Sequence, residues 1–432
     1  MIELSNVPEL DKLIKLVNVH NSWRGRDCIN MIASENITSP LVNALYISDM
    51  MHRYAEGLPF KRYYQGTRYI DEIEVYASEL LSRLFNVKYV DLRPISGTIA
   101  NAAVFKALGG HGMVTAITPL SGGGHVSHSE YGIMGALGMK PIPLPFDSEE
   151  MNIDVDKAKE VILKERPRMV VLGGSLFLFP HPIKELKEVT SEIGSYLIFD
   201  AAHVLGLIAG GRYPNPLEDG ADVVTASTHK TFPGPQGGAI MSNTEDIYKK
   251  IRRVVFPVFV SNHHLHRLAA IAGTAIEMIY FGREYASQIV RNAKALASSL
   301  SDKGFKVLGE RKGFTETHQV AIDVSEIGGG AKCAETLEKA NIIVNKNMLP
   351  WDTPEMIKNP SGLRLGTQEV TRLGMKEGDM EVIASFFERL LLRGEDPNNI
   401  KKEVIDFRKN FTEVKYTFKL SNKLFKKLKL TY

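Results

Sequence analysis

Between Asp71 and Asn86 the apolar residues Ile73, Tyr76, Ala77, Leu80, Leu81 and Leu84 recur at helical spacing, which predicts an amphipathic helix. Further on the pattern changes. Short, wholly apolar runs appear at VTAI (114), MVVLGG (169), YLIFD (196), DVVTAS (222) and GAIMS (238). Helical stretches interleave with them: one begins near Thr98 and runs through IANAAVFKAL, and another is IKELKEVTSEIG from 183. Strands without polar alternation are buried on both faces, so the pattern predicts an α/β fold with a mostly parallel sheet covered by helices. Two more helices are expected, from Leu265 to Ile279 and from Ala286 to Leu300. The second leads into a smaller α+β unit, where KVLG, HQVAIDV and NIIVNK form a second sheet. The expected organisation is an N-terminal arm over 1–24, a large domain over 25–285 and a small C-terminal domain over 286–432.

Composition agrees with two domains: 432 residues with 44% hydrophobic content suffice for a large core. Cys28 and Cys333 are too few for a disulfide framework, which suits a reducing interior. The opening MIELSNVPEL reads as neither a secretory signal nor an anchor, and no apolar segment approaches membrane-spanning length. The expectation is a soluble cytoplasmic protein. Of the net charge of +3, the segment from Lys401 to Tyr432 contributes +7, from ten Lys or Arg against three Asp or Glu. That basic end lacks a nucleic-acid fold motif, and KLFKKLKL reads as a lysine-bearing solvated surface.

The chemistry gathers at the strand ends, where open α/β sheets bind ligands. MVVLGG ends at Ser175, and YLIFD ends at Asp200 with His203 close behind. DVVTAS ends in Ser227-Thr228-His229-Lys230, followed by a Gly-Pro-Gln-Gly-Gly loop. The loop SGGGHVSH brings His125, and Ser96-Gly97-Thr98 precede a helix. A lysine at the end of a buried strand is costly unless paired or neutralised. It could pair with Asp200, or form an imine with an aldehyde cofactor. A helix start rich in small hydroxyls suits a phosphate. Asp200 could cap, bind a metal or hold a protonated ring nitrogen, but no metal ligands stand at matched spacing. Pyridoxal phosphate uses all three features, in the order phosphate loop, aspartate, lysine.

These residues sit in longer stretches: IASENITSP (32–40), YAEGLPFKRYYQG (54–66), ISGTIAN (95–101), GGGHVSH (122–128), DAAHVLGLIAGGRYPNP (200–216), STHKTFPGPQGG (227–238), NKN (345–347) and GLRLGT (362–367). Through them the sequence resembles serine hydroxymethyltransferase, from roughly Leu16 to Leu392, and its archaeal members in particular. The resemblance implies a fold-type-I pyridoxal phosphate enzyme. It implies reversible transfer of the serine hydroxymethyl carbon to a reduced pterin, giving glycine, through an imine in which serine displaces Lys230. The pterin would be tetrahydrofolate or a modified archaeal tetrahydropterin. The alternative is a pterin-independent aldolase for 3-hydroxy amino acids, similar to threonine aldolase.

The implied roles follow residue by residue. Lys230 would carry the cofactor and Asp200 would face its ring nitrogen. His125 would stack on the ring, and His203 and Ser175 would lie beside its hydroxyl. Ser96, Gly97 and Thr98 would hold the phosphate, and Ser227 and His229 would flank the cofactor. Arg364 and Ser34 would clamp the substrate carboxylate, a task suited to the planar fork of arginine. Glu56 would act in acid–base chemistry near the substrate hydroxyl and the pterin, and Asn347 would touch the pterin ring. Tyr54 and Tyr64 would reach a neighbouring subunit's site, at its phosphate and its substrate respectively, which implies a homodimer with shared sites. The chain departs from the common pattern at Gln236, where arginine is frequent, at Phe60, where glycine is usual, and over Val258–Asn262. The latter lacks the glycine-rich run that would approach the partner's phosphate. The histidines of SNHHLH (261–266) are too crowded for a metal site; they could make a cross-subunit contact or start an interface helix.

Overall fold

The computed structural model describes residues 7–420. Among them seven strands form the main sheet. Their order across it is Tyr89–Asp91, Gly238–Ser242, Val223–Ser227, Tyr196–Asp200, Met169–Gly173, Val114–Ile117 and Lys140–Pro143. All run parallel except Gly238–Ser242, which pairs antiparallel with both neighbours. The five apolar runs are thus all strands of one sheet. Lys140–Pro143 was hidden by its own composition: Pro141 and Pro143 cannot donate to a ladder, and the strand lies at the sheet edge, where proline is tolerated.

The helix predicted near residue 71 spans Arg68–Phe85 and ends at Asn86 in the left-handed conformation (φ 52). Its buried face includes Ile70, Ala77, Leu80, Leu81 and Phe85, but also Asp71 and Glu74, whereas Tyr76 is 51% exposed. The helix near Thr98 spans Gly97–Leu108, with Ser96 as its cap. The two helices expected around residue 285 are one, Leu265–Asp302. Gly210 lies so near the helix that an added Cβ would overlap the Gly282 carbonyl oxygen. Along this helix the core changes partners. Residues up to Ile289 pack with the main sheet, and residues from Ala293 to Leu300 pack with Val320, Ile322 and Leu365.

The second sheet is antiparallel throughout, in the order Lys306–Val307, Gln319–Asp323, Gly362–Gly366, Asn345–Asn347. NIIVNK is split: Ile342–Ile343 pairs with Ile29–Asn30, and only Asn345–Asn347 joins the sheet. The N-terminal helix, Pro8–Ser22, buries none of its residues and exposes Leu13, Ile14, Leu16, Val17 and Val19. No helix among the described residues is long and apolar enough to cross a membrane. The KLFKKLKL stretch lies outside the described residues.

Candidate active site

Asp200 ends its strand at the carboxyl edge of the sheet and is buried. Its Oδ1 accepts the Ala202 N–H at 3.0 Å. Its Oδ2 accepts from Asn101 Nδ2 at 2.8 Å and faces His128 Nε2 at 3.0 Å. The Thr225 hydroxyl donates to Asn101 Oδ1 at 2.6 Å. The remaining Asn101 N–H reaches Ser127 Oγ at 3.0 Å, which in turn lies 2.7 Å from His125 Nδ1. Burial pushes the Asp200 carboxyl up, but the bonds from His128 and Asn101 outweigh it and hold the group well below the carboxylate range. A buried carboxylate kept ionised in this way suits a protonated ring nitrogen. Asn101 and His128 were assigned no role from the sequence. Both stood in ISGTIAN and GGGHVSH, but their aim at Asp200 is set by packing.

Lys230 is 8% exposed and, among the described residues, forms no ion pair. Burial lowers its pKa to about 8, with Asp200 opposing the shift and Arg364 adding to it. An amine held near neutrality can attack a carbonyl without first shedding a tightly bound proton. Its position is fixed from the IASEN stretch: Asn36 Nδ2 donates to the Lys230 carbonyl at 2.6 Å and to Tyr285 Oη at 2.9 Å. Three histidine rings sit near it, and burial keeps each from protonating. His125 and His229 fall to about 4 and His203 falls well below its usual value, with the Lys230 charge contributing each time.

Arg364 lies in the Gly362–Gly366 strand and is buried without a carboxylate partner among the described residues. Its Nη1 donates to the Ser175 carbonyl at 2.6 Å and its Nε to Asn345 Oδ1 at 3.2 Å. Burial lowers its pKa to about 10. A guanidinium so placed can receive an anion in its two-pronged fork. Ser34 lines a cleft of about 880 Å³ together with His229 and Gln236. Asn347 lies on the strand beside that of Arg364 and bonds the Met348 carbonyl at 2.7 Å. Ser96 Oγ accepts the Ile99 N–H at 3.1 Å, so it caps the helix whose N-terminus was expected to hold a phosphate. A Cβ on Gly97 would sit 2.5 Å from Ser227 Oγ, which accounts for glycine between that helix start and the lysine strand. Thr98 is exposed.

Tyr54, Glu56 and Tyr64 form a separate group. They flank a hairpin, Gly57–Leu58 with Lys61–Arg62, and no hydrogen bond or ring contact among the described residues ties them to Lys230, Asp200 or Arg364. Tyr54 and Tyr64 are 47% and 43% exposed, with ring centroids 5.0 Å apart. Beneath them the hairpin is anchored. Arg62 bonds Asp71 at 2.7 Å, Glu74 at 2.5 Å and the Ala55 and Gly57 carbonyls. Phe60, found where glycine is usual, has φ 60, the left-handed region that favours glycine, and its N–H is pinned by Asp71 at 2.9 Å. The SNHHLH stretch proves to be part of this anchor. Ser261 bonds Glu56, Asn262 bonds the Arg53 and Ala55 backbone, and His263 Nε2 lies 3.0 Å from Glu74 Oε2. His264 precedes the long helix without a side-chain cap, and His266 meets Tyr46 edge-on at 4.5 Å.

The family model described as serine hydroxymethyltransferase matches residues 7–387. The chain belongs to the serine hydroxymethyltransferase family. A serine hydroxymethyltransferase of Staphylothermus marinus is 60% identical over 96% of this chain and 94% of its own. That of Saccharolobus islandicus is 57% identical over 95% of each chain, and that of Aeropyrum pernix 55% over 94% and 92%. Among solved structures, an L-threonine transaldolase from Pseudomonas fluorescens in its internal aldimine state aligns with a TM-score of 0.90. It shares 30% identity and covers 98% of this chain and 97% of its own. The fold class expected from the resemblance is the one found, and the chain is a transferase of a pyridoxal phosphate-dependent family.

Proposed function

We propose that the protein transfers the hydroxymethyl carbon of serine reversibly to a reduced pterin, leaving glycine, with pyridoxal phosphate held in the Lys230 pocket. One observation carries the reading: a buried lysine of pKa about 8, in no ion pair among the described residues, feels both an ionised Asp200 and an Arg364 that has no carboxylate partner among them. The residues fit the group. Lys230 would meet its aldehyde, Asp200 its ring nitrogen, His125 and His203 its ring, and Ser175, Ser227 and His229 would border it. Ser96, Gly97 and Thr98 offer helix-start donors to its phosphate. Bound there, pyridoxal phosphate supplies an aldehyde that combines with amino groups and a protonated ring that draws electrons from the substrate α-carbon.

The chain's own groups do the rest. Arg364 and Ser34 bind the serine carboxylate and so orient the side chain to be cleaved. Lys230 would carry the aldehyde, and its Nζ, with its lowered pKa, can take up or release a proton near neutral pH. Asp200 stays ionised and keeps the ring nitrogen protonated. Glu56 handles the hydroxyl proton, and Asn347 borders the pterin. Tyr54, Glu56 and Tyr64 serve the pocket of a second copy, so the working unit is a homodimer; the site of action is the cytoplasm.

The test is serine turnover with a panel of reduced pterins, tetrahydrofolate and modified archaeal tetrahydropterins among them. At least one should accelerate glycine formation. The similarity to a threonine transaldolase supports a second reading, pterin-independent cleavage of 3-hydroxy amino acids. Cleavage that no pterin accelerates decides for that reading.

A further inference from the structure

We propose that Gln319 is a positioning residue that fixes the tautomer of His203, so that the ring offers the pocket an Nε2–H. Gln319 is fully buried at the start of the strand QVAID of the second sheet, ahead of three apolar residues. A buried amide is costly unless its groups are bonded, and this one is fully engaged. Its Oε1 accepts the Phe177 N–H at 2.9 Å. That contact settles which end of the amide is oxygen, since a backbone N–H cannot face an NH2 group. The Nε2 therefore donates, to the Ser175 carbonyl at 2.8 Å and to His203 Nδ1 at 3.1 Å.

A ring nitrogen that accepts a hydrogen bond carries no proton. The second neighbour of His203 Nδ1 agrees. His318 Nε2 lies 3.3 Å from it and 3.2 Å from the Ala33 carbonyl, so it bears a hydrogen, and His318 Nδ1 is left without a partner. The charged and titratable groups around His203 are Lys230, Arg364, His318 and His125, and with burial they keep its ring neutral. One proton remains, and it sits on Nε2.

The same amide reaches the substrate clamp. The Ser175 carbonyl that takes one Gln319 hydrogen also takes Arg364 Nη1 at 2.6 Å. Gln319 thus joins the large sheet's strand end to the small sheet's arginine. A leucine there would fill the space and make neither bond. The catalytic consequence rests on the pyridoxal phosphate reading, but the tautomer does not.

The experiment uses the full chain without cofactor, labelled with nitrogen-15 histidine, with the His203 signals assigned by their loss in His203→Asn. Two-bond proton–nitrogen spectra at neutral pH should show His203 as the Nε2–H tautomer. Gln319→Glu puts an acceptor where the donor was and should move the proton to Nδ1 or charge the ring. Gln319→Leu should give a mixture, and in the loaded enzyme should lower kcat/KM about 10- to 100-fold with an altered pH profile. A wild-type Nδ1–H signal overturns the proposal whether or not the variants fold. An unchanged Nε2–H signal in folded Gln319→Glu overturns it too, because a merely space-filling glutamine would leave the tautomer alone. A failure here leaves the transferase reading intact, and a failure in the turnover assay leaves the tautomer result intact.

Discussion

The pocket around Lys230 and the hairpin around Tyr64 are built in opposite ways. In the pocket, several strand ends and one helix start converge, and Asp200, Asn101 and Thr225 bond one another inside the same chain. The hairpin is rigid below and unsatisfied above. Arg62, Asp71, Glu74 and His263 form a buried ionic anchor, while Phe60, Tyr63 and Tyr64 stand in solvent. Aromatic side chains held rigidly in water gain nothing from their own fold; such a surface is made for another one. The Pro8–Ser22 helix, with five exposed aliphatic side chains and none buried, has the same character. The pocket is built within one chain, and on the proposed reading the hairpin serves a second copy.

The strongest way to break this picture is at the pocket. Lys230→Ala should lower turnover by about 10⁴-fold or more while leaving circular dichroism unchanged, because the nucleophilic amine has no substitute nearby. Arg364→Lys should raise the KM for serine and lower kcat/KM by about 10²- to 10³-fold, since one ammonium cannot replace a two-pronged fork. At the hairpin the expected loss is stability rather than chemistry. Glu74→Gln leaves the buried Arg62 with less counter-charge and should cost about 2–4 kcal/mol in denaturant unfolding, with cofactor uptake by Lys230 preserved.

A subtler effect follows from the lysine itself. Its folded pKa of about 8 lies below its ordinary 10.5, so between these values the unfolded chain binds the extra proton. The unloaded protein should therefore gain stability as pH rises through that window, by up to ~3 kcal/mol, and Lys230→Met should lack this gain when compared by chemical denaturation. The smallest effect is expected at Ser261→Ala, which frees the Glu56 carboxyl of one bond and should change the turnover rate by less than about tenfold.

The pocket was more legible in the sequence than the hairpin, for a physical reason. Parallel strands buried on both faces read as apolar runs, and their carboxyl ends point at the site, so Ser175, Asp200 and Lys230 could be picked out one by one. The groups that tune them could not. Asn101 bonds Asp200 across 99 residues and Gln319 bonds His203 across 116, and neither pairing leaves a local trace. Asp71 and Glu74 occupied what looked like the polar face of an amphipathic helix, and only the approach of Arg62 made them interior. Local pattern also divided the long helix, which runs unbroken past Gly282, where Gly210 comes close to its carbonyl. Ser96 caps its helix, and that same helix start is where the proposed phosphate would sit.

The division between completed pocket and prepared hairpin is tested most directly by mixing two inactive proteins. Lys230→Ala keeps the hairpin and loses the pocket; Glu56→Gln keeps the pocket and loses the hairpin's carboxylate. Differently tagged copies are co-expressed, and assemblies carrying both tags are isolated and assayed for serine turnover. If each hairpin serves a second copy's pocket, every mixed dimer regains one intact site, and the unfractionated mixture recovers roughly a quarter of wild-type activity. Mixed dimers no more active than either variant alone would contradict the account.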